Sequence, residues 1–304
     1  MSSRINYGVV VHGGAGTPGN LEELHKLCER AGNKALSIVE QGGEAVDASV
    51  EAVKILEDDG RVDAGYGSYT RMDGQTVEMD SALMSSKGDL ASVIALQGFK
   101  NPILLAKELS KTPHIAIAGE GARIFAQKLQ LEKLDEISPK ARKRSDKIIQ
   151  MIKAGKIKSA NPLWEQDQVS GLWNFAKLKY EDVYSPDTVG VVVLDKSGVF
   201  AVATSTGGAS PMMMGRVGDT PMVGCGFYAG ERGAVAVTGI GEEAVRRMSA
   251  KTVYDKFASM SPDLAVQRGV EDFPKGTECG IIAITHNGAH SFTNAPMPFW
   301  SFVG

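Results

Sequence analysis

The stretch Asp187-Thr188-Val189-Gly190-Val191-Val192-Val193-Leu194 decides how this chain is read. Its β-branched run has the composition of a buried strand, and the threonine ahead of it brings a hydroxyl to the strand's entrance. Asp195-Lys196-Ser197-Gly198 is a turn signal, and 199–204 is a second strand, so the two read as a hairpin. The hairpin runs into Thr204-Ser205-Thr206-Gly207-Gly208, then Gly215-Arg216-Val217-Gly218-Asp219, then Thr238-Gly239-Ile240-Gly241-Glu242. Hydroxyls, an Arg–Asp pair and clustered glycines are what a site needs to attack a carbonyl and hold a small zwitterion.

Working outward, 7–11 reads as a buried strand that ends in His12-Gly13-Gly14-Ala15-Gly16. Asn20 is placed as an N-cap, with Glu23 set to complete a capping box, and Gly42-Gly43 stops the helix that follows. A second helix is expected over 44–57, strands over 75–83 and 90–97, a helix from Asn101-Pro102 to Leu109, a strand over 115–118 and a helix over 121–129. The basic stretch 128–158, continuing to 185, reads as a partly helical, solvated connector; nothing in it interleaves aromatics as a nucleic-acid face would. After Thr188 come strands at 234–238, 280–285 and 289–293, and a helix over 242–257. Helices segregated from strands point to an α+β fold rather than alternating βαβ units.

Composition excludes several classes. The 304 residues carry a net charge of −3, which gives no case for nucleic acid or an anionic membrane. No apolar run is long enough to span a bilayer, and the start of the chain does not read as a signal peptide. Cys28, Cys225 and Cys279 are scattered and odd in number, with no metal-ligand spacing, which suggests a reducing compartment. A cytoplasmic enzyme is expected. Gly14-Ala15-Gly16-Thr17-Pro18-Gly19 matches G-x-G-x-x-G, but Glu40, at the ribose-binding distance, ends a helix instead of a second strand, which argues against a dinucleotide fold.

The ordered series from Asp187 to Gly241, with Asp63-Ala64-Gly65-Tyr66-Gly67-Ser68 and Met79-Asp80-Ser81-Ala82 upstream, resembles the plant-type L-asparaginase/isoaspartyl peptidase family of N-terminal-nucleophile hydrolases. The resemblance implies a single four-layer αββα sandwich over 1–304. It also implies a precursor that cuts itself at Asp187–Thr188 into an α piece, 1–187, and a β piece, 188–304, which assemble as a dimer of αβ pairs. Thr188 is then the nucleophile, its new α-amine the base, and Thr206 its neighbour. Arg216 grips the substrate carboxylate, Asp219 and the Gly241 carbonyl take the ammonium, and Thr238 and Gly239 serve the oxyanion. The substrates implied are L-asparagine and β-aspartyl dipeptides, with no cofactor required. The loop Leu56, Glu57, Asp59, Val62, Ala64 and Tyr66 is implied to bind structural sodium through backbone carbonyls; an unmetallated turn is the alternative.

Three positions depart from the family pattern. Asp63 replaces an Asn that lies near the substrate, Met212 replaces a Lys, and Pro186 replaces a frequent His before the nucleophile. Other readings stay open beside it. A glycosylasparaginase shares fold and nucleophile but usually shows Asn where Thr206 stands, and a taspase-type protease departs at the Gly-Asp of 218–219. An uncleaved small amino-acid binding protein is the reading from another class.

Overall fold

The computed structural model describes residues 4–16, 19–71, 73–153, 185–186, 188–210 and 212–304. Asp187, half of the expected cleavage bond, and most of the second half of the connector lie outside the described residues. The chain combines helices and sheets, as an α+β fold does. Strand β1 (Gly8–His12) leads to helices α1 (Leu21–Glu40) and α2 (Ala45–Asp59), then a single 3-10 turn, Gly65–Gly67. Next come β2 (Met79–Ser85), β3 (Leu90–Leu96), α3 (Pro102–Leu109), β4 (Ala116–Ala118), α4 (Gly119–Lys128) and α5 (Pro139–Lys153). The remainder is β5 (Ser185–Pro186), β6 (Val189–Leu194), β7 (Phe200–Thr206), β8 (Ala209–Ser210), β9 (Phe227–Gly230), β10 (Gly233–Gly239), α6 (Gly241–Arg247), α7 (Ser249–Lys256), α8 (Pro262–Glu271), β11 (Cys279–Thr285), β12 (Gly288–Thr293) and β13 (Phe299–Val303).

Among the described residues the strands form a seven-stranded sheet, ordered β13-β1-β6-β7-β2-β3-β4, a four-stranded sheet, β12-β11-β10-β9, and a two-stranded ribbon, β5-β8. Alternation along the strands separates their faces. Val9, Val11, Val191, Val193, Ala201 and Ala203 pack with Leu24, Leu27, Val53 and Leu56 of α1 and α2. The opposite set, Val10, Val192, Phe200 and Val202, meets Phe227, Ala234, Ala236 and Ile282 of the smaller sheet. The other face of that sheet, Val235, Val237, Ile281 and Ala283, packs on Ala250, Val253, Ala265 and Val266 of α7 and α8. Burial of whole aliphatic side chains is worth about 1.5–3 kcal/mol each, so these contacts dominate the stability.

Several expectations need correction. Asn20 caps α1, accepting the Glu22 N–H at 3.0 Å, but the Glu23 carboxylate faces Arg61 at 3.9 Å instead of closing a capping box. The single helix expected over 242–257 breaks at Met248, whose φ is 47°. The cause is tertiary: the first N–H groups of α7 donate to the loop before β9, Ala250 to the Cys225 carbonyl at 3.1 Å and Lys251 to that of Gly224 at 2.9 Å. Residues 75–78 precede β2 rather than belonging to it, and α8, β9 and β13 were not expected. The connector is not simply solvated either. Ser138 Oγ donates to the Gly60 carbonyl at 2.8 Å, Ser145 Oγ accepts the Thr70 N–H at 3.1 Å, and Ile137 and Ala141 pack on Tyr69. Helix α5 therefore braces the loop after α2.

That loop is tight. Gly67 N donates to the Ala64 carbonyl at 3.0 Å, and a Cβ on Gly67 would lie 1.9 Å from the Val62 carbonyl oxygen. A backbone atom cannot swing aside as a side chain can. Gly67→Ala is expected to destabilise the fold by about 3 kcal/mol, the upper end of ordinary overpacking, read from the midpoint of chemical denaturation.

Candidate active site

Strands β6 and β7 pair antiparallel with Val189 opposite Ser205, which brings Thr188, one residue earlier, level with Thr206. Strand β2 pairs with β7 on its other side, with Asp80 opposite Thr206. Thr188, Thr206 and Asp80 thus form a row across three strands, on the face that Val192, Val202 and Ala82 turn toward the smaller sheet. At the end of this face is a small, partly open cleft lined by Thr188, Thr206, Gly208, Arg216, Asp219, Thr220, Gly239 and Gly241 among others. Patterns from the β6–β7 hairpin, the loop before β9 and the β10–α6 junction therefore converge.

Each expected residue has a definite place. Thr188 is buried, and its Oγ1 lies 3.1 Å from Thr220 Oγ1. Thr206 Oγ1 accepts the Gly208 N–H at 2.9 Å, which shapes the Gly-Gly turn. Thr238 stands behind the lining; its Oγ1 accepts the Ala15 N–H at 3.2 Å, an arrangement that leaves its O–H proton to be donated. Gly239 and Gly241 line the cleft with backbone. Asp63 does not line it. Its Oδ1 accepts the Tyr69 N–H at 3.1 Å and its carbonyl accepts the Gly207 N–H at 2.8 Å, so it props the turn beside Thr206 from below.

Arg216 and Asp219 both line the cleft. Arg216 reaches Glu242, with Nε 2.9 Å from Oε1 and Nη2 2.9 Å from Oε2. Asp219 is buried, and its Oδ2 has no hydrogen-bond partner among the described residues. Burial pushes the Asp219 carboxyl up to about 7, with Arg216 pulling it down and Glu242 and Asp80 adding to the rise. Burial likewise pushes Asp80 up to about 6. His12, buried beside Gly190, is lowered to about 3 by the same cause and is therefore a neutral imidazole.

Sequence reasoning missed Thr220, Arg71 and Glu78. Thr220 directly follows Asp219 and could have been noticed as a third hydroxyl in that motif. The others carried no local signal. Arg71 Nε bonds Glu78 Oε2 at 2.9 Å, with both side chains buried. Arg71 Nη1 also donates to the Gly207 carbonyl at 2.8 Å, while Glu78 Oε2 accepts the Gly215 N–H at 2.7 Å. The pair clasps both ends of the loop between Thr206 and Arg216. Met212, where a lysine was expected, is buried and its Sδ faces the Ala209 N–H at 3.1 Å.

The loop implied to bind sodium offers backbone oxygens of the right chemistry for a hard cation. The Val62, Ala64 and Tyr66 carbonyls each accept one N–H, from Ala64, Gly67 and Ser138, and each keeps a second lone pair. Glu57 turns its carboxylate away from this use, to Asn101 Nδ2 at 3.1 Å and Ile103 N at 3.2 Å, where burial pushes it up to about 8. Among the described residues no group of three or more His, Cys, Asp or Glu side chains is placed to hold a metal, and no helix is long and apolar enough to cross a membrane. Cys28, Cys225 and Cys279 are free and buried.

A buried ion pair with one partner removed leaves an uncompensated charge. Arg71→Met is therefore expected to cost about 3–5 kcal/mol, and Arg71→Met/Glu78→Gln distinctly less, measured by chemical denaturation.

The asparaginase family model matches residues 5–301. A plant-type L-asparaginase of Pyrococcus abyssi is 34% identical over 293 residues, covering 93% of this chain and 92% of the relative. The isoaspartyl peptidase/L-asparaginase of Danio rerio is 34% identical, covering 92% of this chain and 86% of the relative, and that of Rattus norvegicus is 38% identical, covering 78% and 67%. With the hydroxyl row, the Arg216–Asp219 loop and the glycine-lined cleft in place, the chain belongs to the asparaginase family.

Proposed function

We propose that this protein is an autoprocessing amidohydrolase that converts L-asparagine to L-aspartate and ammonia and hydrolyses β-aspartyl dipeptides. The observation that carries the reading is one cleft that holds Thr188, Arg216, Asp219, Gly239 and Gly241 together. The described clusters support a four-layer αββα stack, with the two sheets facing each other between helical layers.

Maturation begins when Thr188 Oγ attacks the Asp187 carbonyl. The acyl group moves from nitrogen to oxygen, and water cleaves the ester. This yields 1–187 and 188–304, which remain associated as an αβ pair and dimerise. The freed α-amine of Thr188, with an ordinary pKa of about 7.7–8, accepts the hydroxyl proton near neutrality.

In the mature enzyme Thr188 Oγ attacks the side-chain carbonyl of the substrate. The Thr238 hydroxyl and the Gly239 N–H stabilise the oxyanion, and losing one such donor typically costs about 10²–10³-fold in rate. Ammonia or an amino acid leaves, taking the proton from the α-amine, and water attacks the acyl-enzyme to release L-aspartate. Thr206 and Thr220 orient the nucleophile. Arg216 binds the α-carboxylate, while Asp219 and the Gly241 carbonyl receive the α-ammonium. No cofactor takes part. Sodium held by the carbonyls of Leu56, Glu57, Asp59, Val62, Ala64 and Tyr66 would serve only to stiffen the loop that carries Asp63.

Intact mass under denaturing conditions, with hydrolysis assays on the same samples, tests this. Wild type is expected as two fragments meeting at Asp187/Thr188. Thr188→Ala should stay one chain and lose at least about 10³-fold in turnover. Arg216→Ala should cleave normally and raise KM about 10–100-fold, the worth of charge-assisted hydrogen bonds. A single wild-type chain after long incubation, inactive on both substrates and on glycosyl-asparagine, would overturn the reading in favour of a binding protein.

A further inference from the structure

We propose that Glu242 is a positioning residue for substrate recognition, holding the Arg216 guanidinium in the orientation that meets the substrate α-carboxylate. The inference rests on the asparaginase reading of the cleft. Its basis is geometric. Glu242 is the second residue of α6, directly after the cleft-lining Gly241. Both of its oxygens engage one edge of Arg216, Oε1 at 2.9 Å from Nε and Oε2 at 2.9 Å from Nη2.

A two-point grip on a planar guanidinium fixes its plane as well as its position. The proposal assigns the Nη1–Nη2 edge of Arg216 to the substrate. Without the grip, a long side chain with several rotatable bonds spreads over many rotamers, and ordering it on binding opposes affinity. The site leaves little slack for another arrangement. A Cβ on Gly241 would lie 2.9 Å from Arg216 Nη2 and 2.9 Å from Asp219 Oδ1, so the guanidinium and the carboxylate are both pressed against this stretch of bare backbone. Arg216 is only 14% exposed and Glu242 32%, so the pair sits at the rim, where solvent screens it incompletely.

Glu242 also acts on Asp219 through space. The charged groups that bear on the buried Asp219 are Arg216, which favours its ionised form, and Glu242 and Asp80, which disfavour it; the Cys225 and Cys279 thiols lie within its field. Asp219 must be ionised to accept the α-ammonium. With the charge at 242 removed, Asp219 ionises at lower pH, so substrate binding should persist further into acid. A role confined to structure would not produce this displacement.

The test uses the self-cleaved enzyme, with Glu242→Gln and Glu242→Asp beside wild type. It reads KM and kcat for L-asparagine across neutral pH, and melting temperature to confirm folding. The titration of the Thr188 α-amine falls on kcat, so the acid limb of 1/KM reports the buried carboxyls, Asp219 with Asp80 behind it, and its displacement between wild type and variants is the readout. Glu242→Gln is expected to raise KM about 10-fold with kcat within about 2-fold, as the loss of a charge-assisted bidentate contact implies, and to move the acid limb of 1/KM to lower pH. Glu242→Asp keeps the charge, so it should hold the limb near its wild-type place and recover part of the KM. An unchanged KM in Glu242→Gln, or a raised KM with an unmoved limb, would overturn the proposal while leaving the asparaginase reading intact. If wild type hydrolyses neither asparagine nor β-aspartyl dipeptides, both fall.

Discussion

The register of the β6–β7 hairpin is the constraint on which the site depends. With Val189 opposite Ser205, Thr188 comes level with Thr206 on the face shared by Val192 and Val202. A slip of β6 by one residue would turn the Thr188 hydroxyl to the helical side and carry Val191 and Val193 into the space between the sheets. The aliphatic residues that hold the register are the same ones that fill the two cores, so the stability of the fold and the placement of the nucleophile cannot be separated. The loops of the site depend instead on glycines that admit close approach, as Gly207 does over Asp63 and Gly241 over Arg216.

A second theme is the concentration of charge at one end of the inter-sheet space. Arg71, Glu78, Asp80, Arg216, Asp219 and Glu242 lie on four separate stretches of chain, yet each bears electrostatically on at least one other. Buried charges are costly unless paired and hydrogen-bonded. Arg71 and Glu78 meet this condition fully and tie the Gly207 and Gly215 ends of one loop together. Asp219 does not, since one of its oxygens lacks a partner among the described residues. In the proposed reaction this is the oxygen left for the substrate α-ammonium.

Three substitutions relative to the family pattern take on physical content in this setting. Asp63 is outside the cleft lining and holds the Tyr69 and Gly207 N–H groups, so it bears on the site through the turn beside Thr206. Met212 fills the place of a lysine with an apolar chain packed against Gly208, in a neighbourhood where Arg71 already supplies a cation. Nothing described explains Pro186 beyond the pairing of its strand with β8.

Much of the hairpin half of the molecule was legible in the sequence, because alternation and turn chemistry are local. Strand β6 has the expected bounds, and β7, β10, β11 and β12 differ from expectation by a residue or two at their ends. Helices α1, α2 and α3 were likewise announced by their periodicity and by Asn20, Gly42 and Pro102. The motifs that line the cleft could be listed for the same reason: each is a short run with its own chemistry. The break at Met248 could not be read, since it is set by carbonyls of Gly224 and Cys225, which are remote in sequence. Nor could the Arg71–Glu78 clasp, the Thr188–Thr220 hydroxyl contact or the turning of Arg216 to Glu242. Local pattern was enough for the strands of the hairpin half, the first three helices and the short motifs of the cleft, because each depends on neighbours along the chain. Tertiary structure alone decided which of their reactive groups touch, because charge pairing and burial depend on neighbours in space.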